Sequence, residues 1–157
     1  MATEFLRNDV QTVNYGQPVL LTTSIGCNRG YVYHRPESGI ITLRGITNNQ
    51  CFATYQVTFN GNIALPDGAT VGPISVSLAI DGEPILTSRA IVTPAATATD
   101  PPTTENFFNV TSTAIIRVPK GCCFNVSVEN TSESTDATTP APAILVQNAN
   151  LVVERIA

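Results

Sequence analysis

Four cysteines carry the most distinctive chemistry in this sequence, and two of them are adjacent in the stretch GCCFNV, residues 121–126. The other two are Cys27 and Cys51. Cysteine thiols bind metal ions, form disulfides, act as redox groups or pack into cores. Structural zinc sites usually contain pairs of cysteines separated by two to four residues, and this sequence has no such pair. We therefore predict no metal site and no cofactor.

The adjacent pair lies in a segment, residues 122–129, that has the pattern of a β-strand. Neighbouring side chains of a strand point to opposite faces of the sheet. Cys122 is in phase with Phe124, and the pattern predicts that it packs in the core. Cys123 is in phase with Asn125, and the pattern predicts that it faces outward or into a subunit interface.

The sequence leaves the disulfide state of the cysteines open. A bond between Cys122 and Cys123 is disfavoured because a disulfide between adjacent residues has strained geometry. A disulfide from either of them to Cys27 or Cys51, within or between subunits, competes with packing as free thiols. Four cysteines allow three complete pairings, and the sequence does not choose among them.

His34 is the only histidine, and it stands beside Arg35 in the stretch YVYHRPESG at the expected end of a strand. One interpretation is that His34 and Arg35 contact a ligand or that His34 is a pH-sensing group in an interface. The other interpretation, which the turn-like context favours, is a hydrogen-bonded turn residue.

No stretch of the sequence has the signature of a catalytic site. There is no Gly-x-Ser-x-Gly element to supply a nucleophile for a Ser-His-Asp triad. The carboxylates are scattered, and nothing nominates a glycosidase pair. Asp81 and Glu83 flank Gly82, but the ligand pattern of an EF-hand loop is missing, so we expect a turn there. We predict that the protein is not an enzyme.

Composition bounds the class of protein. The chain has 157 residues, of which 43% are hydrophobic and only 13% charged, so its polar surface must come from Thr, Ser, Asn and Gln. Such a weakly charged surface predicts association with identical partners. A net charge of −4 and a pI near 4.8 argue against nucleic-acid binding. No apolar run is long enough for a membrane span.

The N-terminal stretch MATEFLRNDVQTV lacks the pattern of a secretory signal peptide. Phe5 and Leu6 precede the first clear strand and are the candidate anchoring residues. We predict an arm over residues 1–14, either a disordered tail or a segment that anchors the remaining domain, residues 15–157, to a neighbour or a larger assembly.

Strand patterns dominate the domain. In TYQVTFN, residues 54–60, and ISVSLAI, residues 74–80, apolar and polar side chains alternate. Two stretches rich in Thr, Ala and Pro, residues 93–105 and 131–143, predict loops at one end of a sandwich. We expect an all-β antiparallel sandwich or jelly roll. The other predicted strands are 18–23, 31–34, 39–44, 84–92, 111–118, 122–129 and 144–156.

Five stretches together resemble a known family of jelly rolls. They are QTVNYGQPVLLTT (11–23), GYVYHRPESGIITLRG (30–45), ATYQVTFNGNIALPDGATVGPISVSLAIDGEPI (53–85), STAIIRVPKGCCFNVSVEN (112–130) and NANLVVERIA (148–157). Their order resembles the tumour-necrosis-factor-like and complement-globular-head-like jelly roll. It is most similar to the bacterial heads that cap collagen-like glycoproteins of the spore surface, the exosporium, although no Gly-X-Y stalk precedes the domain here.

This resemblance implies a homotrimer with aromatic and aliphatic residues of one sheet packed at the threefold axis. It also implies a structural head displayed on a particle or cell surface, either a virion, as capsid decoration, or a spore. The alternative function is a glycan- or receptor-binding module, with a role in adhesion, that acts through loops 93–105 and 131–143. Both functions are expected outside the cell, in a protein made without a signal peptide.

Overall fold

The chain folds into two antiparallel β-sheets in a computed structural model that describes residues 2–26 and 30–157. Within these ranges twelve strands and one short 3-10 segment, η1, follow one another. The elements are β1 (Ala2–Arg7), β2 (Gln11–Val13), β3 (Thr23–Ile25), β4 (Val32–His34), β5 (Ile41–Arg44), β6 (Phe52–Ala64), β7 (Ile74–Ile80), β8 (Glu83–Pro84), η1 (Leu86–Ser88), β9 (Ala90–Val92), β10 (Phe108–Pro119), β11 (Cys123–Asn130) and β12 (Ile144–Arg155).

Sheet A has the strand order β10-β6-β12-β1-β3, with β2 paired to the first part of β12. Sheet B has the order β4-β5-β11-β7-β8, with β9 paired to β7. Every pairing is antiparallel, and most neighbours in a sheet are distant in sequence. The chain therefore alternates between two stacked sheets, as in a jelly roll, and the predicted fold class is confirmed.

Strand β6 shows how the sequence produces this arrangement. Tyr55, Val57 and Phe59 are completely buried, while Gln56 and Asn60, on the opposite face of the strand, are exposed. This alternation places one face of sheet A against sheet B and the other face outside the sandwich. The core between the sheets consists mainly of Val, Ile, Leu and Phe side chains from both of them.

Residues 2–13 belong to the sandwich, so the predicted separate arm over residues 1–14 is wrong for them. Strand β1 pairs with β12 on one side and with β3 on the other. Phe5 is only 1% exposed and lies in the core. Such a pairing joins segments about 150 residues apart, and short-range sequence patterns do not reveal it.

Two predicted strands are interrupted by side chains that bond to backbone groups. In residues 84–92, the Ser88 hydroxyl oxygen accepts a hydrogen bond from the Leu78 amide at 3.0 Å and donates one to the Ile85 carbonyl at 2.6 Å, so the chain turns through η1. In residues 18–23, the Gln11 side chain binds both the amide and the carbonyl of Leu20, at 2.8 and 2.9 Å.

The two ends of the sandwich differ. At one end, which we name the thiol end, β6 starts, β10 stops and β11 starts beside the cysteines. At the opposite end, the loop end, lie residues 65–73, 93–107 and 131–143, as predicted for the two Thr-, Ala- and Pro-rich stretches. No helical segment of the described chain has the length and hydropathy needed to cross a bilayer.

Candidate functional site

Three of the four cysteines lie together at the thiol end. The Lys120 amide donates to the Cys51 carbonyl at 2.9 Å, which holds Cys51 against the turn between β10 and β11. Cys122 and Cys123 follow this turn, and Cys51, Cys122 and Cys123 are exposed free thiols. Cys27 lies outside the described residues.

The core position predicted for Cys122 is wrong. Its amide donates to the Pro119 carbonyl at 3.0 Å, which closes the turn, and the strand starts only at Cys123. The side chain of a turn residue does not follow the alternation of the strand after it. The spacing of two residues between Cys122 and Phe124 therefore does not place both side chains on the same face of the sheet. Cys123 pairs with Arg44 of β5, on the side of β11 away from the core.

His34 is held in place by three contacts. Its Nε2 lies 3.0 Å from the Ser38 carbonyl oxygen and its Nδ1 lies 3.1 Å from the Ser24 hydroxyl. Its ring packs against Phe5, with the two ring centroids 5.0 Å apart. The carbonyl can only accept, so Nε2 carries the proton and donates. Both ring nitrogens are thus engaged, while Arg35 is exposed in the turn that follows.

The two residues proposed for anchoring have different positions. Phe5 is enclosed by the core and by His34, so it is not free to contact another molecule. Leu6 is half-buried and lies on the outward face of sheet A, because it pairs with Asn150. Among residues 2–26 and 30–157, no three His, Cys, Asp or Glu side chains are grouped closely enough to hold a metal ion.

Glu129 is a buried carboxylate on β11, only 7% exposed. Burial raises its pKa, a hydrogen bond from Ser127 acts in the opposite direction, and the negative charge of Glu83 adds to the rise. The folded protein therefore binds a proton at this position more tightly than the unfolded chain.

We predict that Glu129→Gln stabilises the protein at neutral pH. The charged carboxylate lowers stability above the folded pKa, and this penalty disappears as the pH falls below the unfolded value of 4.5. Thermal unfolding of wild type and variant at several pH values should show a higher melting temperature for the variant at pH 8 and no difference at pH 4. Glu105→Gln, at an exposed position outside the ion pairs of the described chain, is the control. A difference in melting temperature between variant and wild type that is the same at pH 4 and pH 8 would contradict the prediction.

A cavity of about 370 Å³ opens at the loop end. Residues 66–73 form one wall and residues 133–143 form the other. Its lining consists largely of Pro, Ala, Gly and Thr, includes no aromatic side chain, and takes no residue from loop 93–105. Loop 131–143 borders this cavity and loop 93–105 does not, so the two loops predicted to bind a glycan do not form a joint site here. The cavity also lacks an aromatic ring on which a sugar could stack.

The outward face of sheet A, which we name the amide face, is almost free of charge. Among the described residues, the charged side chains on it are Glu4, Arg117 and Glu154, and the Asn150 side-chain amide donates to the Glu4 carboxylate. The strand registers place the following residues on it: Ala2, Glu4, Leu6, Thr23, Ile25, Thr54, Gln56, Thr58, Asn60, Asn62, Asn109, Thr111, Thr113, Ile115, Arg117, Gln147, Asn150, Val152 and Glu154. Asn148 lies in an irregularity of β12 and joins the face through its hydrogen bond with Asn62.

Asparagine side chains bond to one another across the amide face. The Asn109 amide donates to the side-chain oxygens of Asn60 and Asn62, at 3.0 and 3.2 Å. The Asn62 amide then donates to Asn148 at 3.1 Å, and the Asn148 amide donates to Asn8. This network connects β10, β6 and β12 with the segment after β1. Its polar groups have partners within the chain, so covering them costs less than covering unpaired amides.

A second group of polar side chains lies beside this network. The hydroxyls of Thr58 and Thr113 are 3.1 Å apart, and the Thr111 hydroxyl donates to Asn60 at 3.0 Å. Leu6 and Val152 are half-buried nearby, and Ile115 is exposed. The face therefore combines paired polar groups with a few aliphatic groups, and it is much poorer in aromatic side chains than the resemblance implied.

Sequence reasoning did not identify the amide face. The sequence contained a partial signal, since the outward residues of β6 are Gln, Thr and Asn rather than Lys and Glu. Its meaning depends on which residues the other strands place alongside them, and this register is set by long-range pairing.

Comparisons with known proteins agree with this architecture. No family model matches the chain, and neither does any curated protein sequence. The globular domain of a zebrafish complement 1qA protein aligns over 99% of this chain and 97% of its own length, with a TM-score of 0.55 and 14% identity. Eiger TNF from S. frugiperda aligns over 100% of this chain and 92% of its own length, with a TM-score of 0.60 and 13% identity.

The chain has the jelly-roll fold of these two proteins. At 13–14% identity the likeness concerns the fold. The function of this chain must be argued from its own surface.

Proposed function

We propose that this protein is a non-enzymatic structural head that assembles into a homotrimer through the amide face. The observation that carries the proposal is the composition of that face: broad, nearly uncharged and internally hydrogen-bonded. Burying charged groups at an interface is costly unless they are paired. A face with few charges and mostly satisfied amides avoids most of this cost, and Leu6, Val152 and Ile115 add apolar area to be covered.

The outward face of sheet B is less suited to self-association. Asp81 and Glu129 line one cavity on it, and the negative charge of Glu83 is close enough to raise the pKa of Glu129. Three carboxylates are thus grouped on or beside this face, whereas the three charges of the amide face are of both signs. In a symmetric trimer each charge is brought near its own copies, and like charges at close range repel. We therefore assign the interface to sheet A and leave sheet B facing outward.

The display function extends this proposal. If three amide faces pack around one axis, the loop ends of the three copies lie together at one end of the assembly and their thiol ends at the other. The weakly charged, Thr-rich loops would then point away from the surface that carries the head. Together with the resemblance to the heads of spore-surface glycoproteins, this supports a position on the exterior of a virion or a spore.

Light scattering on the purified protein, kept in reductant at micromolar concentration, tests the assembly. We expect a mass three times the chain mass of 16.6 kDa. A monomer over the whole concentration range would contradict the proposal. Immunogold labelling of virions or spores from the source organism tests the display function: gold on the particle exterior is expected, and gold confined to the cell interior would contradict it.

A further inference from the structure

Three exposed thiols at one end of a small domain are unusual, because free cysteine is among the most buried residue types. Cys51, Cys122 and Cys123 are all free and all at the thiol end. None of them packs into the core, so packing does not account for them.

The two adjacent cysteines border open space beside the turn that carries them. Two cavities border Arg44, the residue that pairs with Cys123. One, of about 370 Å³, is bordered by Tyr33, Thr42, Arg44 and Cys123. The other, of about 180 Å³, is bordered by Arg44, Ile46, Cys122 and Cys123 among others. Both thiols thus line the smaller cavity, and neither is shielded from an approaching molecule.

We propose that Cys122 and Cys123 join two copies of this chain by disulfide bonds across the thiol end. The occupant of the smaller cavity is the tip of the same turn, Gly121 and Cys122, of a second copy. In a twofold contact the same surface patch of each copy faces that of the other. Cys122 of the first copy then lies opposite Cys123 of the second, and Cys123 of the first lies opposite Cys122 of the second. Gly121 adds no side chain at the tip of the turn, which allows close approach.

Pairing within one copy is disfavoured for these two residues. Cys123 lies in the extended backbone of β11, fixed by its pairing with β5. A disulfide to the neighbouring Cys122 would force strained geometry on this backbone. Cys51 has a different position: it precedes Phe52 on the side of the turn next to the amide face. It therefore provides an exposed thiol at the same end as a control.

An oxidised low-molecular-weight disulfide such as oxidised glutathione supplies the oxidant. The thiolate of one copy attacks a glutathione sulfur, forms a mixed disulfide and releases one glutathione thiolate. The thiolate of the second copy then attacks the protein sulfur of the mixed disulfide and releases the other glutathione. Two protein thiols are oxidised to one disulfide, one glutathione disulfide is reduced to two thiols, and the protons pass to the released glutathione.

This inference rests on the proposed function in one respect only. Assigning the trimer contact to the amide face leaves the thiol end of each copy free. The disulfides would then link neighbouring trimers side by side into a layer whose thiol ends all face the carrying surface, instead of joining the subunits within a trimer.

The test compares wild type, Cys51→Ser and the double variant Cys122→Ser/Cys123→Ser after treatment with oxidised glutathione. Denaturing gels without reductant and intact-mass measurement should show a covalent dimer, at twice 16.6 kDa, for wild type and Cys51→Ser. The double variant should show none, with an unchanged circular dichroism spectrum. Equal dimer formation by the double variant, a glutathione adduct as the only product, or a disulfide within one copy would each overturn the inference.

Light scattering in reductant keeps this test separate from that of the trimer. A trimer that does not form covalent dimers overturns only the disulfide proposal. A monomer that forms them through Cys122 and Cys123 overturns only the proposed trimer.

Discussion

Replacing Phe59 with alanine is expected to lower the free energy of unfolding by about 3–5 kcal/mol, a large part of the total stability of a typical domain. Phe59 is completely buried in the middle of β6. Its ring also covers Gly61, where an added Cβ would lie 2.7 Å from the ring. Removing the ring loses its buried area and leaves a cavity that the two paired strands beside β6 cannot easily close.

Urea denaturation followed by circular dichroism measures this effect, since the chain has no Trp for fluorescence. Protein concentration must be held fixed, because the stability of an oligomer depends on it. Phe108→Ala is the matched control, because Phe108 is 37% exposed. It should lower the free energy of unfolding much less than Phe59→Ala does. Equal losses for the two variants would argue against a core centred on β6.

Gly45→Ala is expected to lower the free energy of unfolding by about 3–5 kcal/mol, because it overpacks the turn and two backbone hydrogen bonds are lost. A Cβ at position 45 would lie 2.0 Å from the Pro119 carbonyl oxygen. The Gly45 amide donates to the Cys122 carbonyl at 2.8 Å, and its carbonyl accepts from the Gly121 amide at 3.0 Å. The turn must move away to admit the methyl group, and both bonds depend on its position.

Gly121→Ala in the same turn separates steric clash from backbone strain. Gly121 has a φ of 80°, and an added Cβ would meet no atom within 4 Å. Its replacement should lower the free energy of unfolding by only about 1–2 kcal/mol, which is the cost of holding an alanine in the left-handed conformation. The same denaturation experiment compares the two variants. A larger loss for Gly121→Ala than for Gly45→Ala would contradict the packing described for the thiol end.

Strands with strong alternation were predictable from the sequence. Residues 54–60 and 74–80 each lie within a strand, because their apolar and polar side chains follow the period of a pleated sheet. The long loops 93–105 and 131–143 were also correctly placed, because Pro and small polar residues leave no apolar face to bury.

Features that depend on distant partners were not predictable in this way. Strand β1 looks like a tail until β12 is placed beside it, and only then does Phe5 reach the core. The strand pattern predicts a core position for Cys122 because it extends one residue into the turn that precedes β11. The asparagine network needs Asn8, Asn62, Asn109 and Asn148 to come together, and no local pattern specifies that.

Comparing Thr58→Lys with Thr42→Lys by light scattering tests the central claim most directly. Both threonines are half-buried and point outward from a strand, Thr58 on the amide face next to Thr113 and Thr42 on sheet B next to Asn125. A lysine on the amide face would bring three positive charges into the interface. We expect Thr58→Lys to have the single-chain mass of 16.6 kDa and Thr42→Lys to keep three times that mass, both in reductant. A trimer for Thr58→Lys, or a monomer for Thr42→Lys alone, would contradict the assignment of self-association to the amide face.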